Sequence, residues 1–244
     1  MKMLLRYPAD FWGGIISLAI MYVLFFSGAR YLAGPGYFGE RLDAVVVSLI
    51  AWSLATGLVF ANANRIQEGA TTGILEQYVL TRPGLLRLSL AQSLVLVLQI
   101  VLPLIPLVAL LVLVSGAQLK WNVWVLFPLM TIPLAAMGVG LAYGGWALLQ
   151  KRLGQWQGPL QFVLLAIFLV RFDALGGFMK ILGYILPMIP SVSMLRAILA
   201  LGETPGATLI GVTLLNTAVY LGLGIWIFQR SLKAARKGGV LGIY

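Results

Sequence analysis

Residues 61–88, ANANRIQEGATTGILEQYVLTRPGLLRL, form the longest polar interval between hydrophobic runs in this chain. The interval holds Arg65, Glu68, Glu76, Arg82 and Arg87. Arg65, Glu68, Thr72 and Glu76 recur at helical spacing and predict one polar stripe, with Ile66, Ala70 and Ile74 on the opposite side. A segment patterned in this way lies against a surface. Gly69 and Gly73 each cost a helix about 1 kcal/mol relative to Ala. The expectation is therefore the end of an incoming membrane helix, a break near Gly69–Gly73, and a short helix from Ile74 to Leu80. Glu76 would sit in the first turn of that helix, where the positive end of the dipole favours a carboxylate. Pro83 stops it by driving Arg82 out of helical geometry. A short helix rigidly tied to two spans is a place where another protein can push.

Outward from this interval the chain is overwhelmingly apolar. Of its 244 residues 61% are hydrophobic and 10% charged, whereas about a quarter are charged in a soluble globular domain. The net charge of +10 does not indicate nucleic acid, because the cations are scattered among loops and form no basic face on a soluble fold. They suit the bias of positive residues toward the cytoplasmic side of a membrane.

The apolar runs predict an all-α polytopic membrane protein with six transmembrane helices. Span one is Phe11–Phe26, preceded by Lys2 and Arg6. Ser27 and Ala29 would suit a signal-peptide cleavage site, but the chain continues as a membrane protein, so an uncleaved first span is expected. Span two is Leu42–Ala61, and span three runs from Leu88 to Val114 with kinks at Pro103 and Pro106. Span four is Trp121–Leu149, and span five is short, Pro159–Val170. Ala174–Pro190 is apolar but interrupted by Gly176, Gly177, Lys180, Gly183, Pro187 and Pro190, which predicts a re-entrant or interfacial pair of short helices. Span six is Ala207–Phe228, followed by a basic tail.

With both termini inside, this layout puts eleven Lys and Arg on the cytoplasmic side: Lys2, Arg6, Arg65, Arg82, Arg87, Lys151, Arg152, Arg230, Lys233, Arg236 and Lys237. Six fall outside: Arg30, Arg41, Lys120, Arg171, Lys180 and Arg196. A seventh crossing would expel the tail against that bias. Trp12, Trp121, Trp124, Trp146, Trp156 and Trp226 fall near predicted span ends, as an interfacial aromatic belt requires, and Trp52 alone lies deep.

Several chemistries are absent from the sequence. With no Cys and no His there is no disulfide, no thiolate or imidazole metal site and no His-based triad. All seven acidic residues, Asp10, Glu40, Asp43, Glu68, Glu76, Asp173 and Glu203, fall in loops or at span ends. Ion-driven carriers usually keep a carboxylate within the membrane. No Walker A motif is present either, so energy for transport would have to come from another subunit. An enzymatic role is not expected.

Gln67-Glu68-Gly69, Gly73-Ile74-Leu75-Glu76 and Thr81-Arg82-Pro83 together resemble the cytoplasmic loop of type-2 ABC exporter permeases. That loop reads roughly E-x-G-T-L-E followed by Pro, between spans two and three. Here Ile74 replaces the usual Thr, and extra residues separate Glu68 from Gly73. Pro190–Arg196 also resembles the segment before the last span of that family. The resemblance implies a single permease domain over residues 1–244 in a cell membrane, a bacterial inner membrane, with both termini cytoplasmic. It implies a coupling helix between spans two and three that docks on a cytoplasmic ABC ATPase, with Glu68, Gly73, Ile74, Leu75, Glu76, Arg82 and Pro83 as the coupling residues. ATP and Mg would be bound by that partner and no cofactor by this chain. The other implied partners are a second permease copy or a sister permease, and membrane lipid; nucleic acid is not among them. By span number the family's path would pass Gly13, Ser17 and Met21 on span one and Gln161 and Phe168 on span five. A non-transport scaffold acting through the basic tail and a passive channel are the alternative readings.

Small residues every four positions, Ser53-Gly57-Ala61 in span two and Ala136-Gly140-Gly144 in span four, let helices approach closely. The sequence leaves open whether those rows meet within one chain or between two. The few polar residues inside spans, Gln92, Gln99, Thr131, Gln161 and Asn216, are expected mainly to bond between helices. An apolar path suits a lipid-like, drug-like or otherwise amphipathic substrate.

Overall fold

The computed structural model describes residues 40–71, 84–115, 119–150 and 154–237, and before them the helical positions Ile16, Ile20, Val23, Leu24, Ser27 and Gly28. Among the described residues the regular structure is entirely helical. The helices are α1 (Glu40–Thr71), α2 (Gly84–Ser115), α3 (Leu126–Leu149) entered through a 3-10 turn at Val123–Val125, and α4 (Gly154–Leu169). After them come α5 (Phe178–Ile185), α6 (Ile189–Arg196) continued by a π-helical turn at Ala197–Leu201, and α7 (Ala207–Lys237). Among the described residues four segments are long and apolar enough to cross a membrane: Asp43–Gly69, Gly84–Pro106, Val123–Leu149 and Ala207–Lys237. The bent pair of α5 with α6 and its π turn would be a fifth if it counts as one span.

Helix α1 is the hub. In its most apolar window 83% of residues are buried inside the protein, against 22% for α7. Leu49, Leu54, Leu58 and Trp52 are fully enclosed, and a lone apolar helix in lipid has no reason to hide such residues except helix–helix packing. Close approach is what glycine supplies. A Cβ on Gly140 would stand 2.8 Å from the carbonyl of Leu58, and one on Gly144 would stand 3.1 Å from Ile66 Cδ1. The Ala136-Gly140-Gly144 row therefore packs on α1 of the same chain, which resolves the question the spacing alone left open. Gly57 faces Ile100 of α2, where an added Cβ would meet Cδ1 at 2.9 Å.

These contacts also fix direction. Leu58 lies beside Gly140, and Asn62 and Ile66 lie beside Gly144, so α1 and α3 run parallel. Gly138 lies against Tyr220, and Gly145 lies against Phe228 and Ser231, so α7 is parallel to them. Gly57 meets Ile100 whereas Asn62 bonds Ser93, so α2 is antiparallel to α1. Helices α1, α3 and α7 thus point one way and α2 the other. The C-terminal ends of α1, α3 and α7 and the N-terminal end of α2 lie at the same end of the bundle.

Several helix boundaries differ from the sequence expectation. Span two was expected to end at Ala61 and the chain to break near Gly69, but α1 continues through Gly69 to Thr71. Asn62, Ala63 and Ile66 are buried there, and their packing on α2 and α3 outweighs the roughly 1 kcal/mol that a helical glycine costs. The expected Ile74–Leu80 coupling helix and Gly73 lie outside the described residues. Helix α7 likewise continues past Phe228, so the basic segment as far as Lys237 is helical. Helix α2 runs through Pro103 and Pro106 as one helix. Helix α4 starts five residues before Pro159 and is 16 residues long, or about 24 Å at 1.5 Å per residue, short of a 30 Å hydrocarbon core.

The apolar segment before span six is two short helices bent by 107°, as its Gly and Pro content predicts. Leu186, held extended at φ −60°, ψ 141° by the following Pro187, ends α5. Met188 adopts a left-handed conformation at φ 66°, and Pro190 then sits in the first turn of α6, where a missing N–H costs nothing. Gly202, at φ 75°, closes the π turn with its N–H on the Ile198 carbonyl at 3.0 Å.

Candidate functional site

The broken segment α5–α6 carries the densest polar chemistry among the described residues. Its corner is held by Asn216 of α7, whose Nδ2 donates to the carbonyls of Tyr184 at 2.9 Å and Leu186 at 3.0 Å, while Oδ1 accepts from Met188 N at 3.2 Å. Tyr220, one turn further on, donates its hydroxyl to the Ile185 carbonyl at 2.8 Å. These bonds occupy backbone groups that the end of α5 leaves unpaired, which in a membrane interior would otherwise each cost several kcal/mol. Thr131 of α3 and Ser191 of α6 share a buried hydroxyl–hydroxyl bond of 3.0 Å.

Arg196 ends α6 and is only 4% exposed. Its Nη2 donates to the Phe168 carbonyl at 3.2 Å and both terminal nitrogens reach the Val170 carbonyl at 3.3 Å. These are carbonyls at the C-terminal end of α4, where the helix dipole is negative, so a cation is favoured there. Asp173 lies 3.9 Å from Nη1 and equally far from Nη2 of Arg171, forming a cation–carboxylate–cation row at the end of α4. Arg196 Nε is buried with no hydrogen-bond partner. Arg196, expected among the charges on the outer side, is instead a buried tether between α4 and α6. The signal was present in SVSMLRAILAL, a lone cation inside an apolar helical run.

Beside this row is a cavity of about 470 Å3 lined by Arg171, Asp173, Lys180, Arg196 and Glu203, with Tyr184 and Ser193. It lies at the end of the bundle opposite the C-terminal end of α7. On the other flank of α6 and its π turn, Leu195 and Leu199 line an apolar groove of about 580 Å3 with Ile50 and Leu54 of α1, Leu104 and Val108 of α2, and Leu129 of α3. One short segment thus has a charged cavity on one side and an apolar groove on the other. Among the described residues no three His, Cys, Asp or Glu gather where they would hold a metal ion. What the arrangement offers is binding: a charged recess and an apolar groove on either side of one short segment.

The residues singled out from the sequence divide as follows. Of the coupling set, Glu68 is exposed near the end of α1, and Gly73, Ile74, Leu75, Glu76, Arg82 and Pro83 lie outside the described residues. Gly13, Ser17 and Met21 also lie outside them. Gln161 and Phe168 sit seven residues apart on α4. The Gln161 carbonyl accepts the Trp52 indole N–H at 3.0 Å, and Phe168 is fully buried with its carbonyl on Arg196. Trp52, the one deep tryptophan, thereby finds its partner in α4. Gln92 accepts from Arg65 at 3.4 Å, so Gln92, Thr131 and Asn216 all bond between helices. Asn62 and Ser93, buried and mutually bonded at 3.1–3.2 Å, were not singled out. No protein-family model matches the chain, and no curated protein is significantly similar to it.

Proposed function

We propose that this chain is the membrane-spanning subunit of an ATP-driven exporter similar to type-2 ABC permeases, working as a dimer or with a sister permease over two cytoplasmic ATPase subunits. The observation that carries the proposal is where the loop motif falls. Residues 72–83, with Gly73-Ile74-Leu75-Glu76 and Arg82-Pro83, join α1 to α2, two antiparallel helices of membrane length. The helix ends they connect, at Thr71 and Gly84, lie at the end of the bundle that also holds the basic end of α7, the end that the positive-inside bias assigns to the cytoplasm. Force applied at this loop reaches α1, and α1 packs against α2, α3 and α4, so a small displacement there is felt by the whole bundle.

Two further features support the reading. Among the described residues the membrane-length helices hold three acidic residues, Glu40, Asp43 and Glu68, all near the ends of α1, so these helices place no carboxylate mid-membrane as an ion relay. The charged cavity and the apolar groove flanking α6 suit an amphipathic substrate, lipid-like or drug-like, with a polar head and an apolar body. Reconstitution tests the energy source. Vesicles holding this chain alone should show neither ATP hydrolysis nor uptake driven by a proton or sodium gradient, and vesicles holding it with its co-purified ATPase should hydrolyse ATP. Gradient-driven transport by the chain alone would overturn the proposal.

A further inference from the structure

The C-terminal part of α7 has two opposed faces. Phe228, Ser231 and Ala235 are buried, packed toward Gly145 of α3, where an added Cβ would meet Ser231 Oγ at 3.0 Å and Phe228 Cα at 3.2 Å. At 3.6 residues per turn, Trp226, Arg230, Lys233 and Lys237 fall within an arc of about 60° on the far side. All four are exposed, Trp226 by 50%. No acidic residue occurs in α7, and none of these three cations has an ion-pair partner among the described residues. The guanidinium of Arg230 lies over the Trp226 ring, 4.1 Å from its centroid.

The stripe begins where the membrane ends. Helix α7 is 31 residues long, about 46 Å, so it outreaches a hydrocarbon core of about 30 Å by roughly 16 Å. Its apolar run closes at Phe228, which puts Trp226 at the interface and Arg230, Lys233 and Lys237 at and just beyond the lipid headgroups. The stripe faces away from the bundle, and the surface continuous with it along α7, at Val219 and Leu223, is exposed and apolar, as a lipid-facing surface is.

We propose that Trp226, Arg230, Lys233 and Lys237 form a binding site for an anionic phospholipid headgroup in the leaflet at the C-terminal end of α7. The aromatic ring seats the glycerol level, Arg230 presents its donors to the lipid phosphate, and the two lysines supply charge to a second anionic group or a neighbouring lipid. The inference is independent of the transport reading, since it needs only a bilayer.

The test uses the absence of native Cys. Leu223→Cys, on the same face and 47% exposed, is labelled with dansyl and reconstituted in phosphatidylcholine vesicles. Quenching by chain-brominated phosphatidylglycerol is compared with quenching by chain-brominated phosphatidylcholine at equal mole fraction. The expected result is a local preference for the anionic lipid of about fivefold or more. It should collapse toward unity in the Arg230→Gln/Lys233→Gln/Lys237→Gln background and fall in 0.5 M salt with the stripe intact. Inorganic phosphate at matched ionic strength should leave it unchanged, which distinguishes a lipid headgroup from a free phosphate. Equal quenching by the two lipids in the unsubstituted stripe overturns the proposal, as does a preference that survives both the triple substitution and high salt. The salt arm needs no change to the stripe, so a poorly folding variant does not blunt the test.

Discussion

Gly138 of α3 and Gly224 of α7 meet backbone to backbone: a Cβ on Gly224 would overlap the Gly138 carbonyl, and a Cβ on Gly138 would overlap that of Tyr220. Backbone cannot step aside as a flexible side chain can, so either substitution must push the helices apart. Gly222, two residues away, has nothing within 4 Å of an added Cβ. Gly224→Ala is expected to cost about 3 kcal/mol, the upper end of the overpacking range. Gly222→Ala should stay within about 1 kcal/mol of wild type, on the stabilising side that helix propensity favours. Thermal unfolding in detergent separates the two.

Arg196 makes a second contrast. Removing its guanidinium in Arg196→Met strips the Phe168 and Val170 carbonyls of their donor, at about 1–3 kcal/mol for each group left unpaired. Arg196→Lys keeps the charge but cannot fork across two carbonyls, so it should recover part of the loss. Asp173 is 43% exposed, and Asp173→Asn should cost under about 1 kcal/mol. Denaturation midpoints for the three variants give the order directly; a loss for Asp173→Asn equal to that for Arg196→Met would mean that the ion pair, not the carbonyl tether, holds the row.

The parallel course of α1, α3 and α7 predicts sidedness. Single cysteines at Gln155, Thr204 and Arg236, all exposed, can be tested with a membrane-impermeant thiol reagent in intact cells. Thr204→Cys should react, and Gln155→Cys and Arg236→Cys should react only after permeabilisation. Thr204 serves better than Gly202, whose φ of 75° and closeness to Lys120 would strain a cysteine. Reaction of Arg236→Cys in intact cells would reverse the orientation.

Much of this fold was legible as hydropathy. The four membrane-length helices and the broken segment before the last of them follow from apolar run length and from Pro187 and Pro190. Their ends were less legible, because hydropathy scores Asn62 and Arg65 as solvent-facing, whereas Asn62 pays its desolvation through Ser93 and the helix continues. The Gly140–Gly144 row was visible by its spacing, but Gly138 and Gly224 were not, since each is a single close approach without a repeat. Arg196 was read by charge alone; its place inside the apolar run SVSMLRAILAL signalled burial, but the α4 carbonyls that receive it come to it only through tertiary structure.

The central claim, that an ATPase drives the bundle through the α1–α2 loop, is tested most directly at Glu76. If Glu76 stands in the first turn of the expected coupling helix, Glu76→Arg has a folding cost of about 0.3–1 kcal/mol, while a reversed charge opposite a fixed cation at an interface costs several kcal/mol. Affinity-tagged wild type, Glu76→Arg and the control Gln118→Arg, in the sequence between α2 and α3, are each purified in mild detergent from native membranes, and the accompanying Walker A protein and its ATP hydrolysis are quantified. The account predicts a stoichiometric ATPase with wild type and with Gln118→Arg, and its loss by tenfold or more with Glu76→Arg at unchanged thermal stability. Full retention of the ATPase by Glu76→Arg, or no ATPase with wild type, would contradict it.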